Sequence, residues 1–89
     1  MNEPKEDVFE FPCRFPIKAM GGPVEGFETL VCEIVAQHVE PAKVHEVQSR
    51  ESRAGSYLAV TVTFTAESRE QLDALYKALS SHPRVKMVI

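Results

Sequence analysis

The stretch that most constrains how this chain folds is residues 57–66, Y-L-A-V-T-V-T-F-T-A. Leu58, Val60, Val62 and Phe64 alternate with Ala59, Thr61, Thr63 and Thr65, a period of two written in residues that suit a pleated strand. One face is apolar and has to be covered. The other is rich in threonine and is able to meet water or a partner. A strand this regular belongs at the centre of an antiparallel or mixed sheet with helices on one side.

The rest of the chain supplies that sheet and its cover. Residues 15–20 form a first strand, with Phe15, Ile17 and Ala19 on one face and Pro16, Lys18 and Met20 on the other. Gly21-Gly22-Pro23 ends it, and Pro23 suits the first position of a helix, where its missing N–H is no loss. Across residues 24–39, Phe27, Leu30, Val31, Ile34, Val35 and His38 recur at helical spacing. Glu25 and Glu28 sit near that helix start, where carboxylates suit the dipole, and Pro41 stops the helix. Residues 42–51 make a polar strand with Val44 and Val47 as its main apolar residues, a composition that fits a sheet edge. Residues 49–56, S-R-E-S-R-A-G-S, read as a hairpin loop turning on Gly55. A second helix spans 68–81. Ser68 and Gln71 match the capping-box pattern at its start, and Leu72, Leu75, Tyr76 and Leu79 form its apolar stripe. His82-Pro83 ends it, and residues 85–89 are a last short strand.

This order predicts an α+β fold, a ferredoxin-like βαββαβ two-layer sandwich. Right-handed crossovers place both helices on one face of a four-stranded antiparallel or mixed sheet. The first and third strands take its centre, the second and fourth its edges. Residues 1–10 read as a flexible N-terminal tail and 11–89 as a single domain. Before the first strand, Phe9, Phe11 and Phe15 stand among Pro12 and Pro16, so this stretch reads as an extended arm over the core rather than a central strand. Its phenylalanines either close one end of the core or form a patch that faces a partner.

At 89 residues the chain has room for one domain of modest stability, which a partner or a dimer would raise. Its net charge of −3, with 13 acids among 10 scattered bases, argues against nucleic acid as a partner. No apolar run reaches the ~20 residues that span a bilayer, and the polar start carries no targeting signal. A cytoplasmic location, away from membranes, is the expectation. Cys13 and Cys32 make neither a metal spacing nor a redox pair and read as reduced structural thiols.

Motifs for chemistry are sparse. His38, His45 and His82 have no Cys, Asp or second His at ligand spacing, so no metal and no cofactor is expected. No nucleophile has a recognisable base. Glu25, Glu28, Glu33 and Glu40 read as a solvated helix face. The loop Met20-Gly21-Gly22 leads towards a helix N-terminus, where backbone N–H groups point outward, yet it matches no phosphate-loop pattern. It is either a tight turn needing glycine for its dihedrals or a ligand contact. The uncovered face of the sheet, with Tyr57, Thr61, Thr63 and Lys18, is a candidate docking surface. It lacks the paired aromatics on which RNA bases stack.

Three stretches together carry a resemblance. The run F-P-C-R-F-P-I-K-A-M-G at 11–21, Gly55-Ser56-Tyr57 leading into the alternating strand, and the ending R-V-K-M-V-I resemble the small bacterial YbeD-like proteins from Phe11 onward. The doubled Gly21-Gly22 and the acidic tail depart from that pattern. The resemblance implies a ferredoxin-like fold similar to ACT domains, the regulatory modules of enzymes of amino-acid metabolism. In those, small ligands bind by the loop after the first strand at a subunit interface, which maps here to Met20, Gly21 and Gly22. The expectation is therefore a non-enzymatic regulatory or small-ligand-binding module. It would form a homodimer through a sheet edge or the open face. The rival is a protein-interaction adaptor without a small ligand. A third reading, an acylphosphatase-like enzyme, needs an arginine in a phosphate-cradling loop after the first strand, and this loop has none.

Overall fold

The alternation becomes β3 (Leu58–Ala66), whose Leu58, Val60, Val62, Phe64 and Ala66 are all buried. The computed structural model, which describes residues 10–89, sets around it β1 (Cys13–Gly21), α1 (Phe27–Ala36), β2 (Val44–Glu51), α2 (Arg69–Ser80) and β4 (Val85–Val88). The sheet order is β2-β3-β1-β4 with every neighbour antiparallel. As expected, β1 and β3 are central and β2 and β4 are edges. Phe27, Val31 and Val35 of α1 and Leu72, Leu75 and Leu79 of α2 pack on Ile17, Ala19 and the β3 stripe to form the core. Residues 1–9, with Phe9, lie outside the described residues. Phe11 and Phe15 are half-buried and pack against that core, and the Phe15 and Phe64 rings lie 6.2 Å apart at 54°.

The two edge strands share a device. Val44 and Val47 are three apart, as are Val85 and Val88, a spacing that puts residues of a regular strand on opposite faces. A bulge restores the match in each case. Val44 pairs with Phe64 and Val47 with Val62, leaving His45 as the extra residue. Val85 pairs with Gly21 and Val88 with Ala19, leaving one extra residue on β4. Both valines of each pair thereby face the helices.

Four expectations from sequence are corrected. First, β1 starts at Cys13, so Pro16 stands inside a central strand, opposite Thr63. Lys18 exchanges both backbone hydrogen bonds with Ile89 at the β4 side. Pro16, two residues earlier, turns its missing N–H to that same side, past the end of β4, where among the described residues no ladder acceptor waits. Second, α1 begins at Phe27 rather than Val24. Gly26 takes the left-handed conformation (φ 75°) at its N-cap, and Pro23 precedes the helix instead of opening it. Third, α1 ends at Ala36, and Pro41 begins a separate short 3₁₀ turn, Pro41–Lys43. Fourth, β2 starts at Val44 rather than at 42, and Ser49, Arg50 and Glu51, which the strand reading (42–51) and the loop reading (49–56) share, belong to the strand and pair with Val60, Ala59 and Leu58. The loop is correspondingly shorter, closed by Gly55 (φ 75°) donating to the Ser52 carbonyl at 2.9 Å. The polar composition of an edge strand had the appearance of a loop.

At α2, Ser68 accepts from the Gln71 N–H at 3.1 Å. The Gln71 amide does not reach back to Ser68. Its oxygen accepts from the Glu67 N–H at 2.7 Å, and its nitrogen donates to the His38 carbonyl at 2.8 Å. One side chain therefore ties the start of α2 to the end of the α1 turn.

Candidate functional site

The alternation that buries one face of the sheet leaves the other without a helix among the described residues. On β1 this open face carries Arg14, Lys18 and Met20, since Phe15, Ile17 and Ala19 turn inward. On β3 it carries the threonines. On β2, Glu46, Gln48 and Arg50 stand opposite Thr63, Thr61 and Ala59 and so share that face. Among the described residues of these three strands, three cations share this face with one carboxylate, although the whole chain is net negative. The acids gather elsewhere: α1 carries Glu28 and Glu33 and no base.

Lys18, Gln48, Arg50, Ala59 and Thr61 line a shallow depression of about 370 Å³ on this face. Gln48 donates to Glu46 at 2.5 Å, and the His45 ring nitrogen Nε2 lies 2.6 Å from the Thr65 hydroxyl. Among the described residues, Lys18 and Arg50 have no carboxylate within ion-pair distance. Lys43 differs: its hydrogen bond and ion pair with Glu67 hold its ammonium above the ordinary range. Lys18, Thr61 and Thr63 are legible from the sequence as open-face residues. Gln48 and Arg50 lie in the strand expected over 42–51, but their face is not legible, because the bulge at His45 sets it and Arg50 also falls inside the stretch that reads as a loop. The signal that would have found them is the alternation of Glu46, Gln48 and Arg50 itself.

Met20, Gly21 and Gly22 lie at the other end of β1. Met20 is half-buried on the open face between Ala59 and Met87. Gly21 is buried, and a Cβ there would stand 2.0 Å from the Arg84 carbonyl oxygen and 2.8 Å from the Phe27 ring. The Gly22 N–H donates to that Arg84 carbonyl at 3.2 Å. Arg84 also closes the segment after Gly22. Its guanidinium donates to the Pro23 carbonyl at 2.5 Å and to the Glu25 carbonyl at 2.7 Å, and lies 5.8 Å from the centroid of the Phe27 ring. The two glycines thus serve close packing, and the Gly22 N–H is already engaged within the chain. This arginine clamp gave no sign in the sequence beyond its place in R-V-K-M-V-I.

The remaining candidate groups stay apart. His82 lies just past α2, its Nδ1 accepting from the Arg84 N–H at 3.1 Å, and His38 lies just past α1, its N–H bonded to the Val35 carbonyl. Cys13 and Cys32 are both free. Burial, and then the nearby Glu28 carboxylate, push the Cys32 thiol above its ordinary range. Among the described residues no helix is long and apolar enough to cross a membrane.

The family described as "Protein of unknown function (DUF493)" matches residues 6–89. A UPF0250 protein of Chromobacterium violaceum is 47% identical over 89 residues, covering 100% of both chains. Among solved structures, protein HP0495 from H. pylori matches with a TM-score of 0.73 at 8% identity, over 100% of this chain and 98% of that one. The ACT domain from GTP pyrophosphokinase of Chlorobium tepidum matches with a TM-score of 0.68 at 10% identity, over 85% of this chain and 94% of that one. At these identities the structural likeness is one of fold.

Proposed function

Because this chain belongs to the DUF493 family, the YbeD-like proteins its sequence resembles, and shares the fold of ACT domains, we propose that it is a non-enzymatic cytoplasmic binding module of regulatory, ACT-like type. Its ligand is a small anionic metabolite held on the open face of the sheet. One observation carries this reading: Lys18 and Arg50, without a carboxylate partner among the described residues, both line the depression floored by Ala59 and Thr61. A carboxylate or phosphate there gains charge-assisted hydrogen bonds from both cations, with Gln48 and Thr61 to orient its other polar groups. Such a ligand regulates by favouring the conformation or association state that holds it best. The loop Met20-Gly21-Gly22 then acts as the brace that fixes the end of β1, while Met20 borders the ligand face.

The test is a thermal-shift screen against amino acids, dicarboxylates and phosphorylated metabolites. A ligand at about 100 times its Kd adds about 2.7 kcal/mol, a rise of roughly 10–20 °C for a domain of this size. Lys18→Met, an exposed substitution, is expected to abolish the rise while leaving the ligand-free Tm in place. A flat screen sinks this reading.

The adaptor reading has its own observation. Apart from Lys18 bonding to Ile89, β4 pairs with β1 only from Ala19 to Gly21, so among the described residues no strand lies on that side of Arg14 and Pro16. An apolar groove of about 230 Å³, lined by Phe15, Ile17, Leu72 and Tyr76, lies beside that edge. A partner's strand added there would pair with the Arg14 backbone and the Pro16 carbonyl and seat side chains in the groove. A protein ligand that protects the Arg14 amide from exchange would favour it over the metabolite reading.

A further inference from the structure

The two edges of the sheet are not equivalent. β4 has four residues and a bulge, whereas β2 has eight and runs regularly from Glu46 onward. Natural edge strands are guarded by lysine, proline, bulges or inward charge. β2 has a bulge only at its start, and neither lysine nor proline anywhere in its length. Its outer margin also leaves apolar surface uncovered: Val47 is 36% exposed, at a groove it forms with Cys32, Val39, Pro41 and Val44.

The sequence of that strand is complementary to itself. Glu46, Gln48 and Arg50 all project from the open face. Set two copies of β2 antiparallel, with the two-fold axis through Gln48 and perpendicular to the sheet. Residues directly opposite then share a face. Glu46 meets Arg50 of the second copy, and Arg50 meets its Glu46. Gln48 meets Gln48, and on the helix side Val47 meets Ser49. With both helix layers on one side, the axis has to pass through a residue. Move it to Val47 or Ser49 and Glu46 faces Gln48 or Ser52 instead, so both ion pairs are lost. Only the register centred on Gln48 pairs every charge between Glu46 and Arg50 with its opposite.

We infer that this protein associates with a second copy of itself through β2, in the antiparallel register centred on Gln48, where Glu46 and Arg50 form two symmetry-related ion pairs across the seam. The interface is isologous, so it closes at two copies. It joins the two sheets into one of eight strands and brings the exposed Val47 of each copy to the seam. Arg50 has five N–H donors. Two of them on Glu46 of the second copy leave others for the depression beside Lys18, so the seam and the ligand face do not compete.

Sedimentation equilibrium on the full chain, without added ligand, tests this separately from the ligand reading. The native protein is expected to show a concentration-dependent monomer–dimer equilibrium. Glu46→Arg alone, or Arg50→Glu alone, sets like charges opposite each other at both ion-pair positions. Each is expected to weaken the dimer by roughly tenfold or more, because the axis doubles the cost of every opposed pair. The double exchange, Glu46→Arg with Arg50→Glu, recreates the complementary pattern and restores association. Both residues are exposed, so an unchanged Tm in dilute solution confirms that each variant is folded. A native protein that stays monomeric up to millimolar concentration overturns the proposal. So does a dimer indifferent to the single exchanges, or one that the double exchange fails to restore.

Discussion

Gly21→Ala places a methyl group 2.0 Å from the Arg84 carbonyl oxygen and 2.8 Å from the Phe27 ring. Ordinary contact begins at 3.4 Å, so one of two backbones has to retreat by 1.4 Å. Neither is free to do so. Gly21 is the last residue of β1, paired with Leu58 on one side and Val85 on the other. Arg84 is fixed by its guanidinium bonds to the Pro23 and Glu25 carbonyls. Retreat strains the core around Phe27, at about 1–3 kcal/mol. It also opens the bond from the Gly22 N–H to the Arg84 carbonyl, at about 1–2 kcal/mol. The expected loss is about 3–4 kcal/mol, a large share of the stability of a domain this small. The assay is urea unfolding followed by circular dichroism, with the midpoint falling and the slope unchanged. In a thermal scan the same loss lowers Tm by roughly 12–25 °C. Gly22→Ala meets only the Ser56 carbonyl, at 2.8 Å, in the yielding loop after β2, and is expected to cost about 1 kcal/mol. A loss below about 1 kcal/mol for Gly21→Ala, or the reverse order of the two variants, would refute the packing argument for this loop.

Further predictions concern the helices and the thiol. Ser68→Ala removes the oxygen that accepts from the Gln71 N–H. It is expected to cost about 1 kcal/mol, measured by the same unfolding curves. Arg84→Met keeps apolar contact with Phe27 but frees the Pro23 and Glu25 carbonyls. Amide exchange between residues 22 and 27 should quicken while that of β3 stays slow. Leu75→Ala empties a fully buried site between α2 and the sheet and is expected to cost about 2–5 kcal/mol. Cys32, harder to ionise in the native state than its ordinary value of 9.0, is expected to alkylate more slowly at neutral pH than in urea-unfolded protein. The unfolded thiol ionises first as pH rises. The contribution of this group to stability is therefore full below pH 9.0 and declines as pH climbs through the native value. Equal alkylation rates in the two states would contradict the burial argument.

Much of the fold was legible because two kinds of local signal agreed. The alternation at 58–66 gave β3 both its face and its central place, since only a strand covered on one side is written that way. The stripes around Val31 and Leu75 gave the helices, and the order of elements left one common topology for them. The boundaries were less legible. Gly26 in the left-handed conformation delays α1 by three residues, and nothing in V-E-G-F says so by itself. The candidate site was half legible. Lys18 and Thr61 follow from alternation, whereas Arg50 lies where the strand reading of 42–51 and the loop reading of 49–56 overlap, and its pairing with Ala59 is what puts it on the open face.

What the sequence determined alone, then, is which residues go inside and in what order the elements come. Side-chain periodicity and capping chemistry are written into neighbouring residues. What only the tertiary structure decided depends on partners distant in the chain. Pro16 stands within a central strand because β4 is too short to ask for its missing N–H. Val44 and Val47 share a face because β3 imposes a bulge between them. Gly21 is required because Arg84, which comes to it from the far end of the chain, leaves no room for a single carbon atom.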